Sequence, residues 1–309
     1  MVEFKNLKKY FNGVKAVDDV TFTVRAGEIF GLLGPNGAGK STAISVLSTL
    51  LRPTAGDVVV KGKSVLSEPA AVKRIIGLVP QDIALYPTLS ARENLAFFGR
   101  MYGLGGRELA ERIEEVLDIV GLAGRAGDRV ETFSGGMKRR INIGVGLMNR
   151  PELLILDEPT VGIDPQSRNH ILESLQRLNR EGMTVLYTSH YMEEVEFLCH
   201  RVGIMDRGRL IALGSQEELR KLAGENETVE VEAPGTSVEA VRSIEEIPAV
   251  SHVVYEEEKI TILASNAAGV LNEIIARLSR HNCRVRSLHV REPNLEAVFL
   301  QLTGKALRD

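Results

Sequence analysis

The stretch IFGLLGPNGAGKS, residues 29–41, decides the fold. IFGLL is a short apolar run of the kind a buried strand needs, and KSTAISVLSTLL beyond the glycines reads as a helix. Between them GPNGAGKS fits G-x-x-x-x-G-K-[ST], in the strand-to-helix setting that a phosphate-binding loop requires. Gly34, Gly37 and Gly39 let the backbone curl so that successive N–H groups turn inward on phosphate oxygens. Pro35, Asn36, Ala38 and Thr42 complete the candidate cradle. Lys40 is placed to reach the β- and γ-phosphates, and the Ser41 hydroxyl to reach Mg²⁺. ATP and Mg²⁺ are therefore the expected ligands.

A magnesium-side carboxylate belongs on a neighbouring strand, and LLILDEP (residues 153–159) supplies it. Four apolar residues put Asp157 at the carboxyl end of a buried strand, where open α/β sheets bind their ligands. Glu158 follows directly, so strand alternation cannot point both at one spot. Its place at the strand end lets it reach an attacking water as general base.

Further out, VEFKNLKKYF and VDDVTFTVRAGE alternate in strand fashion, and DVVVKG and IIGLVPQD add short strands. Residues 90–119 read as helical with a break at GLGG. The helix PQSRNHILESLQRLNREG has a proline near its start and a glycine at its end. TVLYTSH, MEEVEFLCH and RVGIMDRGRLIALG continue an alternation that predicts an α/β domain with a mainly parallel sheet. From residue 225 the order changes to βαββαβ, a ferredoxin-like α+β unit closed by a last helix, NLEAVFLQLTG. The expected domains are 1–224 and 225–309.

The chain has 309 residues and a net charge of −3, which gives no basic field for nucleic acid. Residues 225–309 hold 14 acidic and 9 basic residues, a net of −5, which speaks against RNA binding by the small domain. Two distant cysteines suggest neither a disulfide framework nor a zinc site. The start MVEFKNLKKY lacks a signal-peptide core, and no run approaches the ~18 apolar residues of a membrane span. A cytoplasmic protein that meets the membrane only through a partner is expected.

FSGGMKRR (residues 133–140) looks like a second anion cradle: Ser134 as N-cap, Gly135 and Gly136 exposing backbone N–H groups, and a helix dipole behind them. The basic run KRR at 138–140 reads as the solvated flank of that helix or as a nucleotide contact.

With GPNGAGKS, VPQD, FSGGM, LLILDEP, VGIDP and TSH in this order, residues 2–220 resemble the ATP-binding-cassette family, specifically a separate ATPase subunit of a transporter, which implies a P-loop cassette with a mainly parallel core sheet, an antiparallel β subdomain and a helical subdomain. The end PNLEAVFLQLTG resembles the daunorubicin-resistance (drug exporter) type. The resemblance implies that Gln81 is the Q-loop residue, touching Mg²⁺ and reporting nucleotide state. It makes Glu158 the catalytic base and His190 the switch that steadies the attacking water through the γ-phosphate. It makes Asp164 the D-loop residue and places Tyr10 to stack on adenine. Lys40 and Gln81 join the catalytic set.

The resemblance also accounts for two cradles. Two cassettes pair head to tail, and Ser134, Gly135 and Gly136 bind the γ-phosphate held by the partner copy, so that hydrolysis releases the closed dimer. Phe133, Met137 and Val161 depart from the usual Leu, Gln and Ser without removing a phosphate contact. Transport then needs a separate membrane permease, docked through residues 82–100, where Leu85, Tyr86, Leu89, Phe97 and Phe98 offer an apolar groove. The small domain is expected to stabilise the dimer or to regulate. A soluble cassette ATPase with a mechanical or regulatory role not involving transport, or a non-hydrolysing nucleotide-gated scaffold, is the alternative. The single set of motifs, and Glu158 and His190 both in place, speak for the exporter ATPase.

Overall fold

A computed structural model of the chain describes residues 1–222, 226–256 and 258–303. It divides into two compact units, Met1–Leu210 and Ile211–Asp309. The expected boundary at Gly224 lies outside the described residues.

The first unit opens with β1 (Val2–Phe11) and β2 (Val14–Val24), then β3 (Ile29–Leu33) and α1 (Lys40–Leu47). β4 (Ala55–Val60), β5 (Lys63–Ser64), α2 (Pro69–Ile75) and β6 (Ile76–Val79) follow. Three helices come next: α3 (Ala91–Met101), α4 (Gly106–Ile119) and α5 (Gly135–Leu147). The chain continues through β7 (Leu153–Asp157), α6 (Pro165–Arg180), β8 (Thr184–Ser189), α7 (Met192–Leu198), β9 (Arg201–Asp206) and β10 (Arg209–Ser215).

One sheet runs β10-β9-β3-β8-β7-β6, and its pairs β9–β3, β3–β8, β8–β7 and β7–β6 are parallel. Every residue of β3, β7 and β8 is buried, which is why these strands read as unbroken apolar runs. The second sheet, β2-β1-β4-β5, is antiparallel and alternates buried with exposed residues. Phe4 stacks on Phe22 at 4.2 Å and Phe22 on Phe30 of β3 at 5.1 Å, so a column of rings joins this sheet to the central one.

This strand order positions the site. The loops after β3, β8, β7 and β6 carry Lys40, His190, Glu158 and Gln81, and these four strands are neighbours in that order. Four segments far apart in sequence therefore converge at the carboxyl edge of one sheet.

The second unit holds α8 (Gln216–Leu222), β11 (Glu227–Glu232), α9 (Val238–Glu245), β12 (Val250–Glu256), β13 (Lys259–Ala264), α10 (Ala267–Arg280), β14 (Ser287–Arg291) and α11 (Leu295–Thr303). Its sheet runs β12-β13-β11-β14 with all pairs antiparallel, the 4-1-3-2 arrangement of a ferredoxin-like βαββαβ unit. Val229, Val231, Ile260 and Ile262 share a core with Ala240 and Ile244 of α9 and Ile274 and Leu278 of α10. Two helices, α2 and α8, were not legible in the sequence. Each has only seven residues, too few to show a periodicity.

Candidate nucleotide site

The phosphate loop has the conformation its glycines imply. Gly37 and Gly39 sit at φ of 79° and 102°, and a side chain on Gly39 would meet the Ala16 carbonyl at 2.3 Å. Gly39 is the N-cap of α1 and offers no side-chain cap, so the first-turn N–H groups stay open to an anion. Lys40, 4% exposed, turns back over the loop: its Nζ donates to the carbonyls of Gly34 (2.6 Å) and Pro35 (3.2 Å) and lies 3.0 Å from Glu158 Oε1.

Glu158 is the hub. Its Oε2 accepts from Gln81 Nε2 at 3.3 Å and lies 3.2 Å from His190 Nδ1, although that nitrogen is not aligned on it for a hydrogen bond. Strand alternation alone would turn Glu158 away from Asp157. The backbone at Glu158 instead enters the left-handed region at φ 46°, breaking the alternation, and its N–H is fixed by Thr188 Oγ1 at 2.9 Å. Both carboxylates thus serve one site.

Asp157 accepts from Ser41 Oγ at 3.1 Å and from Thr188 Oγ1 at 2.7 Å. Burial pushes its carboxyl above the usual range, while these two hydroxyls pull the other way. A hydroxyl and a carboxylate form a hard oxygen pair of the kind that suits Mg²⁺ with its retained waters. Because the folded-state pKa lies above the unfolded one, the ionised form is disfavoured by folding. This contribution to stability is full at low pH and is lost as pH rises through the folded value. At pH 7 without Mg²⁺, Asp157→Asn should therefore raise Tm by a few degrees, about 2–4 °C for each 1 kcal/mol relieved. A scanning melt checks this, and a lowered Tm contradicts it.

The second cradle is built separately. Ser134 caps α5, accepting from Met137 N–H at 3.3 Å, and Asp164 caps α6, accepting from Ser167 N–H at 2.8 Å. The two helix starts press together: a Cβ on Gly136 would lie 2.0 Å from Ser167 Oγ and 3.1 Å from Asp164 Oδ2. Gly136→Ala should cost about 1–3 kcal/mol and misplace the cap. Ser167→Gly should recover most of that loss in a melt of the double variant. Failure to recover would show that space is not the reason for glycine here. Among the described residues no hydrogen bond joins Ser134, Gly135 or Gly136 to the Lys40–Glu158 group. Phe133 is buried, with the Arg125 guanidinium 5.7 Å above its ring.

Two of the three residues of the run KRR turn inward, not to solvent. Arg139 is 5% exposed and donates to the Pro80 carbonyl at 3.0 Å, and Arg140 donates to the Val120 carbonyl at 3.2 Å. Neither is a solvated flank. One helical turn carries them inward, and Arg139 together with Asn142 clasps residues 80–84 beside Gln81. Charge alone concealed this.

Tyr10 pairs across from Lys15 in the β1–β2 ladder, one residue from the Ala16 carbonyl that abuts Gly39. Its hydroxyl donates to Asp18 Oδ1 at 2.6 Å, and Asp18 also binds Arg209 (2.9 Å) and Lys15 (3.3 Å). That bond raises the tyrosine pKa and holds the Asp18 carboxyl well below its usual range. Asp18 and Thr188 were not legible as site residues, because neither stands in a recognisable spacing.

The ABC transporter family profile matches residues 17–161. Linearmycin resistance ATP-binding protein LnrL of Bacillus subtilis is 52% identical, with the whole of both chains covered. The chain belongs to the ABC transporter family. The profile of the DrrA1-3-like ATP-binding protein C-terminal domain matches residues 214–303 of the cassette protein. Daunorubicin/doxorubicin resistance ATP-binding protein DrrA of Streptomyces peucetius is 38% identical over 100% of the chain and 94% of its own length. Among solved structures, the cassette MJ0796, in a dimeric post-hydrolysis state bound to ADP and Pi, has a TM-score of 0.64 at 29% identity. It covers 70% of this chain and 98% of its own. The cassette reading of the fold and the drug-exporter type of the C-terminal unit both stand. No described helix of this cassette is long and apolar enough to cross a membrane.

Proposed function

We propose that the chain hydrolyses ATP, with Glu158 as general base, and that this drives a separate permease of an export system. One observation carries the reading: a single buried carboxylate meets the phosphate-loop lysine, the Gln81 amide and His190. Triphosphate in the cradle competes for Lys40, whose Nζ is shared between loop carbonyls and Glu158. As Lys40 turns to phosphate, Glu158 loses its counter-charge and becomes free to take a proton from water. His190, buried beside it, steadies that water and the γ-phosphate. Ser41 and Asp157 would hold Mg²⁺, with Gln81 at its edge, and the ion would neutralise charge on the β- and γ-oxygens. Tyr10 stacks on adenine, and Thr42, Pro35, Asn36 and Ala38 complete the cradle. Phosphate release from ATP by the unmodified chain with Mg²⁺ tests this, and no release above background overturns it.

The relatives named for linearmycin and daunorubicin/doxorubicin resistance support an exporter. The dimeric state of the similar cassette supports pairing of two copies. In such a pair of copies Ser134, Gly135 and Gly136, with Asp164 behind them, would face the nucleotide held by the other copy. The chain then works at the cytoplasmic face of the membrane, through its permease.

The segment after Gln81 is the proposed docking surface. Tyr86 and Phe97, both exposed, meet edge to face at 4.8 Å, and Phe97 meets Phe98 at 5.3 Å. Asn94 holds the loop by accepting from Tyr86 N–H at 2.8 Å and donating to its carbonyl at 3.0 Å. Tyr86→Ala with Phe97→Ala should abolish co-purification with the permease and leave ATP hydrolysis by the isolated chain within about two-fold, since exposed residues away from a site rarely affect it. Retained co-purification contradicts the surface. Domains 1–224 and 225–309, with the smaller one stabilising the dimer, remain part of this proposal.

A further inference from the structure

Behind His190 lies a buried charge that the reaction as described does not use. Glu194, in α7, is 2% exposed. Its Oε2 accepts three hydrogen bonds: from Thr160 Oγ1 at 2.8 Å, from the Tyr187 hydroxyl at 2.8 Å and from Ser189 Oγ at 3.0 Å. Its Oε1 lies 3.4 Å from Arg168 Nε of α6, as an ion pair without an aligned hydrogen bond. The donors come from the turn after Glu158 and from β8, and the ion-pair partner from the helix that Asp164 caps.

Such a carboxylate is expensive to bury, and its partners are arranged about one loop. His190 stands between Ser189 and Tyr191. Ser189 Oγ accepts from Tyr191 N–H at 2.9 Å while donating to Glu194, so the hydroxyl bridges both sides of the histidine. The Tyr191 ring packs on His190 with centroids 4.2 Å apart, and the Arg168 guanidinium lies 5.3 Å over that ring. The imidazole is therefore held through its two neighbours, and both are tied to the Glu194–Arg168 pair. Among the described residues, Nδ1 of His190 has no hydrogen-bond partner.

We infer that Glu194, braced by Arg168, is the positioning residue that sets His190 against Glu158 and ties that setting to the first turns of α6. The inference rests on the catalytic reading of His190 given above. Glu194 is not among the groups that meet Glu158, which are Lys40, Gln81 and His190. It acts through the loop, and its removal should cost turnover rather than affinity.

The test is a kinetic cycle on the full chain with Mg-ATP. Glu194→Gln keeps the shape and an acceptor but removes the charge. It should lower kcat about ten-fold, the scale of a modest misplacement of a catalytic group, with KM within about two-fold. In a His190→Ala background the same change should lower single-turnover hydrolysis less than about two-fold further, because the residue it positions is gone. Arg168→Gln should show the same pattern more weakly, and Arg168→Lys should restore most of kcat. If Glu194→Gln fails to fold, the Arg168 variants carry the cycle, since that side chain is only part-buried. Equal losses with and without His190, an effect on KM alone, or unchanged kcat overturns the inference. A His190→Ala chain that hydrolyses ATP normally overturns the catalytic reading of His190 and this inference together. An impaired His190→Ala chain with multiplicative losses overturns only the inference.

Discussion

Replacing Glu158 by glutamine lowers ATP hydrolysis about 10³-fold, within the range that general base catalysis contributes, and leaves ATP affinity within a few-fold. The expectation follows from geometry. Glu158 is 4% exposed, and its two oxygens meet Lys40, Gln81 and His190. The neighbouring Asp157 is already engaged by Ser41 and Thr188. Glutamine has the same shape and can still offer an oxygen to Lys40, so binding survives while proton abstraction does not. Phosphate release and equilibrium ATP binding, measured on the same preparation, separate the two. A parallel loss of affinity would mean that Glu158 matters for holding the loop, not for the chemical step.

Replacing Lys40 by alanine has the larger effect on binding. Two or more charge-assisted hydrogen bonds to phosphate are lost, each about 1.5–3 kcal/mol, so ATP affinity falls at least ~100-fold. The change also leaves Glu158 buried without its cation, at a cost of about 3–5 kcal/mol in stability. These two consequences separate in a double variant. Lys40→Ala with Glu158→Gln removes both charges and should recover much of the lost Tm, while ATP affinity stays low. If the double variant melts no higher than Lys40→Ala alone, the 3.0 Å pair contributes little to the fold.

The sequence made most of this edge legible because each motif sits on a loop whose flanking strand or helix declares itself. IFGLL and LLIL are buried on both faces and appear as unbroken apolar runs. The βαββαβ unit was legible for a different reason: its helices α9 and α10 alternate with strands at regular intervals, and few topologies accept that order. What stayed hidden was set by backbone turns and by burial of charge. No propensity foretells the left-handed Glu158, which Thr188 fixes from the next strand. Arg139 reads as surface by charge and is interior by position on α5. Nothing in the sequence sets Glu194 apart from its neighbour Glu193; the fold brings Thr160, Tyr187, Ser189 and Arg168 to Glu194.

The central claim is that ATP held in one copy is completed by Ser134, Gly135 and Gly136 of another. Light scattering of Glu158→Gln, with and without Mg-ATP, tests it most directly, beside the same chain also carrying Ser134→Arg. The protomer mass is 33.9 kDa. Mg-ATP should raise the population at twice that mass for Glu158→Gln and leave the Ser134→Arg double variant where it was. A mass that ATP does not change, or that rises equally in both, contradicts the account.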